Sequence, residues 1–403
     1  MIWKNKGTSG KIPKGVGKLI LLAFIFYLNF LSRIILAPLL PQIKTDLNLS
    51  TGRVSGFFLF LSVGYFAAQL VSGFVSERLG HKKTILLSVS LCGLFLGILG
   101  LTRHIALIIS AIVCIGLATG LYLPSAIATI TTLFDKDFWG RAMSVHELAP
   151  NLAFISAPVI ASFFMTRYNW HVLMIVMAMC CLAVCIVLVK TNMGYHTGTA
   201  PSITACSKFL KKKEFWLMLF LFGLGITSTI GIYNMLPIYL VSEHGYTELS
   251  ANYLVSLSRV STLATALLGG LLSDMFGPRR VMGWVLLFTG AVTFFLGITQ
   301  GIILKLVVFA QPLLAVCFFP AAFSCLSAIS NEKDRNLLIS MIIPFAFVMG
   351  AGAMPTIIGW MADYGMFEQG FMIAGAFLAS GILLSRMLPI PEPNVFCTSK
   401  HAD

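Results

Sequence analysis

Four ionisable side chains lie inside apolar runs that are long enough to cross a lipid bilayer. Arg33 and Arg259 carry guanidinium groups, and His146 stands next to Glu147. Charged groups at membrane depth are costly to bury, so they usually serve a function. A guanidinium offers a planar fork of donors that matches a carboxylate or phosphate, and a carboxylate or imidazole can carry a proton. The four residues therefore indicate anion binding and proton transfer within a membrane.

Each of these residues also has a purely structural explanation. Arg33 and Arg259 would pair with an internal acid or with backbone carbonyls, and Glu147 would form a static bridge to Arg141 or His146. Glu147 is the one carboxylate that we place well within a span, so protein groups cannot neutralise both arginines. This imbalance favours anion binding, most of all at Arg259. We expect Glu147 to be buried and to carry the proton, with His146 tuning it.

Further polar side chains in the predicted spans are candidates for lining a substrate cavity. They are Tyr27, Asn29, Tyr122, Asn151, Tyr233, Asn234 and Gln311. Interfacial aromatic residues or interhelical hydrogen bonds explain any single one equally well. As a set they indicate a small, polar substrate.

The apolar runs that hold these residues predict an all-α membrane protein. The chain is 58% hydrophobic and 11% charged, and runs of about 20 apolar residues, enough for one crossing, recur along it. In lipid, helices satisfy their own backbone polar groups. We predict twelve helices in two sets of six, at 19–41, 54–77, 83–102, 105–133, 141–166, 171–189, 215–241, 249–273, 281–300, 303–329, 336–363 and 367–388.

A polar interruption divides the two sets. We predict an N-terminal six-helix bundle at 1–190, a cytoplasmic linker at 191–213, a C-terminal six-helix bundle at 214–390 and a disordered tail at 391–403. The linker prediction rests on its Thr, Ser, Gly and Lys content.

The distribution of Lys and Arg predicts the orientation. With the N-terminus inside, most cations fall in the cytoplasmic loops, as the positive-inside rule requires. The net charge of +13 is thereby explained without nucleic acid. The first helix is too long for a signal peptide, and the cysteines lack metal-ligand spacing. We expect a monomer in a bacterial plasma membrane, with both termini cytoplasmic, no cofactor or metal, and no enzymatic activity.

A charged, glycine-containing turn occurs twice, at 73–83 and 270–280, each time between apolar runs. Such internal repeats are typical of two-bundle transporters. The glycines allow close helix approach or end their helices, and the acids can accept bonds from a helix N-terminus or from turn cations, forming a latch. The predicted gating residues are Gly73, Glu77, Arg78, Gly80, Lys82, Asp274, Gly277 and Arg279.

These turns resemble the loop 2–3 signature of the major facilitator superfamily and its echo in loop 8–9. Three other segments resemble the same family: residues 36–46, the Gly116–Gly120–Pro124 spacing, and the glycine- and proline-rich stretch 350–363. The resemblance implies two six-helix bundles around a central cavity at the bilayer midplane. It also implies alternating access by rocking of the bundles.

The two arginines have more distant parallels. Arg33 resembles the helix 1 arginine of organophosphate:phosphate antiporters and of anion:cation symporters, although Ser32 stands where the symporters favour an aspartate. Arg259 resembles the helix 8 arginine of oxalate and monocarboxylate carriers, without the latter's preceding aspartate. Both parallels imply an organic anion as substrate.

The leading hypothesis is proton-coupled symport of a small organic anion such as a carboxylate, a sugar acid or a phosphate ester. The alternative is a proton-driven multidrug or metabolite exporter. Such antiporters carry a glycine-rich fifth helix and often an arginine in the fourth, whereas stretch 156–162 has alanine and serine and the fourth helix has no arginine. A sensor is disfavoured because we find no large extra soluble domain.

Overall fold

The computed structural model describes residues 15–198, 203–330 and 332–390, and these residues fold into helices without any strand. The predicted disordered tail, 391–403, lies outside them. The α-helices are α1 Val16–Ile34, α2 Leu36–Asp46, α3 Thr51–Leu79, α4 His81–Leu101, α5 Ile105–Gly120, α6 Tyr122–Leu133, α7 Lys136–Arg167, α8 Trp170–Lys190, α9 Ile203–Leu210, α10 Lys213–Ile226, α11 Ile232–Ser242, α12 Glu248–Val260, α13 Thr262–Phe276, α14 Pro278–Leu296, α15 Gly301–Ala315, α16 Phe318–Ile329, α17 Glu332–Phe347, α18 Met354–Asp363 and α19 Phe367–Arg386.

Eleven helical stretches in the described residues are long and apolar enough to cross a membrane. They are Val16–Asp46, Thr51–Leu79, His81–Leu101, Ile105–Leu133, Lys136–Arg167, Trp170–Lys190, Lys213–Ser242, Pro278–Leu296, Gly301–Ile329, Leu337–Asp363 and Phe367–Arg386. The remaining predicted span, 249–273, is formed by α12 and α13, which meet at a turn at Ser261. The predicted all-α fold is confirmed.

The chain forms two compact units. Unit 1 takes in the described residues of 1–35 and 63–201, with α4 packed against α8 and α1 against α7. Unit 2 takes in those of 36–62 and 202–403, with α14 packed against α19 and α10 against α17. Residues 36–62 thus pack with the C-terminal half.

The role of residues 191–213 as a linker stays a prediction. The structure describes all of this segment except residues 199–202. Part of 191–213 forms α9. Gly198, which lies before α9 in the same segment, donates a backbone hydrogen bond of 3.2 Å to Ser76 O. This segment therefore packs against the first of the two repeated turns within unit 1.

Two π-helices interrupt long helices of unit 2. One, Thr227–Gly231, separates α10 from α11, and the other, Val348–Ala353, separates α17 from α18. They touch through glycine: a methyl group at Gly350 would lie 2.5 Å from Thr227 N and 2.6 Å from Gly223 O. Because π-helical turns are wider than α-helical ones and are frequent at functional sites, this pair draws attention to the region around it.

Candidate functional site

Arg259 lies in the last turn of α12, 5% exposed, against the first π-helix. Its Nη2 donates a hydrogen bond of 3.0 Å to Thr229 O, and its guanidinium carbon lies 5.0 Å from the centre of the Tyr233 ring. Both of these neighbours are neutral. They hold the guanidinium in place.

Gln311 of α15 binds the next carbonyl of the same π-helix. Its Nε2 donates a hydrogen bond of 2.6 Å to Ser228 O, and its side chain is buried. In an α-helix each carbonyl accepts the N–H four residues later, whereas the wider turn here presents two consecutive carbonyls to donors from other helices. We call Arg259, Tyr233, Gln311 and the carbonyls of Ser228 and Thr229 the Arg259 site.

Asn234 faces a different partner from its neighbour Tyr233. Its Nδ2 donates to Ala351 O over 3.2 Å, and Ala351 belongs to the second π-helix. The sequence placed Tyr233 and Asn234 together in a substrate cavity. In the structure Tyr233 contacts Arg259, while Asn234 ties α11 to the second π-helix.

Arg33, in the last turn of α1, is 6% exposed and lies between two aromatic rings in unit 1. Its guanidinium carbon is 4.7 Å from the Phe30 ring centre and 4.6 Å from that of Tyr65. Attraction between a cation and the faces of aromatic rings stabilises such an arrangement away from water. Tyr65 was not among the sequence candidates, because a tyrosine in an apolar span carries no signal of its partner.

His146 has a fixed tautomer. The Tyr122 hydroxyl lies 2.6 Å from Leu22 O and 3.1 Å from His146 Nε2. A carbonyl only accepts, so the single hydroxyl proton points to Leu22 and Nε2–H must donate to Tyr122. Nδ1 is then the nitrogen without a proton in the neutral ring, and it lies 3.6 Å from Glu147 Oε1. The ring of Phe26 stacks on His146 at 4.4 Å.

Glu147 differs from the expectation that it is buried. Its side chain is 57% exposed, whereas that of His146 is 0% exposed. On α7 consecutive residues point about 100° apart, so His146 faces α1 while Glu147 reaches the surface of unit 1. The structure brings the carboxylate close to Nδ1 of a buried histidine, which is the pairing that the structural alternative named.

The remaining cavity candidates of unit 1 make hydrogen bonds inside that unit. Tyr27 Oη lies 2.8 Å from Ser156 Oγ, and Asn29 Nδ2 donates to Thr119 O over 3.1 Å. Asn151 donates to Glu147 O, one turn earlier in its own helix. Tyr27 and Asn29 therefore link helices, as the alternative for single residues supposed.

A glycine with a positive φ separates the two helices at each repeated turn. Gly80 has a φ of 79° and Gly277 a φ of 86°, each directly between two helices. Glycine adopts this conformation without the steric cost that other residues incur. Glu77, Arg78 and Asp274 are exposed.

Lys82 and Arg279, at equivalent positions of the two repeated turns, bind carbonyls at or just after the end of the last helix in their own half. Lys82 Nζ donates to Val189 O, and Arg279 Nη1 donates to Leu388 O, both over 3.1 Å. The Gly73 carbonyl accepts from Ser76 Oγ within its turn, whereas a methyl group at Gly270 would meet no atom within 4 Å. The repeat thus extends to equivalent tertiary hydrogen bonds.

The comparison with known families decides the identity of this arrangement. The model of the Major Facilitator Superfamily matches residues 22–261 and 232–396. The chain belongs to the Major Facilitator Superfamily. It is accordingly a multi-pass membrane protein and a transporter rather than an enzyme.

Individual relatives of this superfamily member are distant. The probable galactarate/D-glucarate transporter GudP of Bacillus subtilis (strain 168) is 22% identical over 92% of this chain and 83% of its own length. Multidrug resistance protein D of Escherichia coli (strain K12) is 23% identical over 71% of this chain and 79% of its own length. The two relatives are named for different substrates, although their sequence identities to this chain are nearly the same.

A solved structure supports the fold of the superfamily member. A bacterial homologue of the human lysosomal transporter Spinster, crystallised in an inward-facing and occupied conformation, superposes with a TM-score of 0.81. The match covers 94% of this chain and 97% of that chain at 14% sequence identity. At 14% sequence identity, this match supports the fold and carries no information on the substrate.

Proposed function

We propose that this transporter moves a small organic anion together with a proton, by alternating access of its two halves. The observation that carries the proposal is the Arg259 site, where a buried guanidinium is held by a carbonyl and an aromatic ring. A positive charge at membrane depth is costly to bury, so it usually serves a function. A substrate carboxylate or phosphate would complete the site.

The chemistry of the Arg259 site favours a planar oxyanion. Guanidinium groups bind carboxylates and phosphates through two parallel hydrogen bonds, which fixes the orientation of the ligand. The Tyr233 ring backs the guanidinium plane, and Gln311 adds an amide to the same π-helix. Polar neighbours of this kind suit a substrate that also carries hydroxyl groups, such as a sugar acid.

The His146–Glu147 pair is the proposed site of proton coupling. Nε2 of His146 is committed to Tyr122, so a proton can be gained only at Nδ1, next to the Glu147 carboxylate. The exposed carboxylate can exchange protons with water and pass them to the buried imidazole. We propose Glu147 as the carrier and His146 as the group that tunes it.

Arginine 33 is proposed as a second cation for the substrate. It lies in unit 1, buried between the rings of Phe30 and Tyr65. Tyr27, Asn29, Tyr122, Asn151 and Asn234 complete the proposed polar set, with the hydrogen bonds described above. The bonds of Tyr27, Asn29, Tyr122 and Asn234 also join helices, whereas that of Asn151 lies within α7.

The orientation and the gating turns belong to the same proposal. The bias of Lys and Arg supports cytoplasmic termini, which places both repeated turns on the cytoplasmic side of a bacterial plasma membrane. We propose a monomer in which Glu77 and Asp274 act as latches during the transport cycle. Their exposure in the structure supports a role in contacts that change.

A proton-driven exporter is the second candidate, favoured by the match to multidrug resistance protein D. The match to the galactarate/D-glucarate transporter, which covers more of the chain, favours the anion carrier. The two candidates differ at Arg259, because a cationic or neutral drug gains nothing from a buried guanidinium.

A ligand screen on the purified protein tests the proposed function. We expect mono- and dicarboxylates, sugar acids or phosphate esters to raise the melting temperature of the wild type but not of Arg259→Ala. Arg167→Ala is the matched control, since Arg167 also lies over an aromatic ring but at an exposed helix end. Stabilisation by cationic drugs alone, unchanged in Arg259→Ala, would support the exporter instead.

A further inference from the structure

We propose that unit 2 holds a separate phosphate-binding site whose ligand is the headgroup of an anionic phospholipid. The site is a cavity of about 330 Å³ at the start of α14 and the end of α19. Among the described residues, six line it: Arg279, Arg280, Trp284, Ile382, Ser385 and Arg386. We call this cavity the arginine pocket.

Close packing of two helices brings the three arginines together. A methyl group at Gly375 would lie 2.6 Å from Gly290 O, so α14 and α19 touch along their backbones. Nearer the pocket, a methyl group at Gly283 would collide with the Ser385 side chain. The first turn of α14 and the last residue of α19, Arg386, are thereby held on either side of one cavity.

The side chains of the arginine pocket suit an anion. Three of these six lining residues are arginines, and none of the six is acidic. Guanidinium groups donate hydrogen bonds to phosphate oxygens in a geometry that matches the phosphate group. Arg279 is positioned by its bond to Leu388 O. The N-terminus of α14 adds a partial positive charge.

The apolar side of the pocket favours a lipid over a soluble phosphate. Trp284 is 41% exposed and stands beside the arginines together with Ile382. Tryptophan is enriched where membrane headgroups begin, because one part of its ring is apolar and one part is polar. In the proposed orientation the pocket faces the cytoplasmic leaflet, where anionic lipids meet basic clusters. A bound phospholipid would contact both the arginines and the apolar side chains, whereas free phosphate would contact only the arginines.

Native mass spectrometry of the detergent-purified full chain tests the site. With phosphatidylglycerol and phosphatidylcholine supplied equally, we expect the wild type to retain phosphatidylglycerol about fivefold better. Arg280→Gln and Arg386→Gln should each lower that preference markedly. Lys190→Gln, at the exposed end of the corresponding helix α8, should keep it. Arg259→Ala should also keep it, which separates this site from the proposed substrate site.

A thermal-shift titration with inorganic phosphate distinguishes the two sources of the ligand. If phosphate stabilises the wild type but neither glutamine variant, and lipid retention shows no preference, the phosphate site stands and its ligand is soluble. If both glutamine variants are monodisperse and bind lipid and phosphate as the wild type does, the proposal is overturned. Arg386 is exposed at a helix end, so Arg386→Gln should fold and keep the test decisive.

Discussion

Nη2 of Arg259 donates a hydrogen bond of 3.0 Å to Thr229 O, so a buried cation in α12 is tied to the π-helix between α10 and α11. The contact joins the group proposed to bind substrate to an irregular turn of a neighbouring helix. An anion that engages the guanidinium competes for the donors that hold this turn. We therefore expect substrate binding to alter the conformation of the turn between α10 and α11.

Gly350→Ala should disrupt the contact between the two π-helices. The added methyl group would lie 2.5 Å from Thr227 N and 2.6 Å from Gly223 O, both backbone atoms that cannot turn aside. We expect a loss of about 1–3 kcal/mol, typical of overpacking, measured as a lower melting temperature. Gly56→Ala is the control, because a methyl group there meets nothing within 4 Å. Equal melting temperatures for the two variants would contradict the tight contact.

Glu147→Gln should keep substrate exchange and lose accumulation. Exchange needs no net proton movement, whereas accumulation against a gradient needs the carboxylate that lies 3.6 Å from His146 Nδ1. Proteoliposomes with and without a pH gradient separate the two activities, and uptake by the wild type should be faster at acidic outer pH. His146→Ala should have a smaller effect, and Glu243→Gln, an exposed carboxylate outside the spans, none. Concentration of substrate by Glu147→Gln would place the coupling site elsewhere.

Glu77→Ala and Asp274→Ala should slow turnover more than they weaken binding. If each carboxylate forms a charge-assisted hydrogen bond in one state of the cycle, about 1.5–3 kcal/mol is lost, which slows turnover about tenfold or more. Spin-label distances between the halves should shift toward outward-closed, inward-open states. Asp137→Ala, an exposed carboxylate outside the repeat, is the control. Unchanged distance distributions in both variants would count against a latch.

Acidification should destabilise the protein partly through His244, which lies between α11 and α12. Burial lowers the pKa of His244 from its ordinary value of 6.5, although Glu368 and Glu243 oppose the shift. The folded state then prefers neutral imidazole, so this stability is present above pH 6.5 and is lost as pH falls toward the lowered pKa. The drop in melting temperature from pH 7.5 to pH 5.5 should be smaller in His244→Gln than in the wild type. Exposed His104, changed to Gln, should leave the drop unaltered.

Hydropathy predicted most of the fold because lipid imposes one rule on every span. A run of apolar residues must form a helix, and the predicted ends lie within a few residues of the observed ones. Gly80 and Gly277 were identified because a glycine between a helix and a charged turn marks a helix end. The break at Ser261 was missed, since the pattern around it remains helical.

The partners of the site residues could not be predicted in the same way. The two π-helices meet through distant glycines, Gly231 and Gly350, and no local period reveals that contact. The Tyr65 ring beside Arg33, and the Leu22 carbonyl that accepts from Tyr122 beside His146, are brought there by tertiary packing that no sequence pattern reveals. Burial of Glu147 was expected from its place in a span, yet which face of α7 it occupies depends on the helices beside it.

The most direct test of the central claim is the affinity of the best anionic ligand for Arg259 variants, measured by isothermal titration calorimetry. Removing one partner of a buried charge pair costs about 3–5 kcal/mol, so Arg259→Ala should bind at least about 100-fold more weakly. Arg259→Lys should also lose most binding, because a point charge cannot form the two-bond fork, while Arg167→Ala should bind as the wild type does. Unchanged affinity in a folded Arg259→Ala protein would contradict the account.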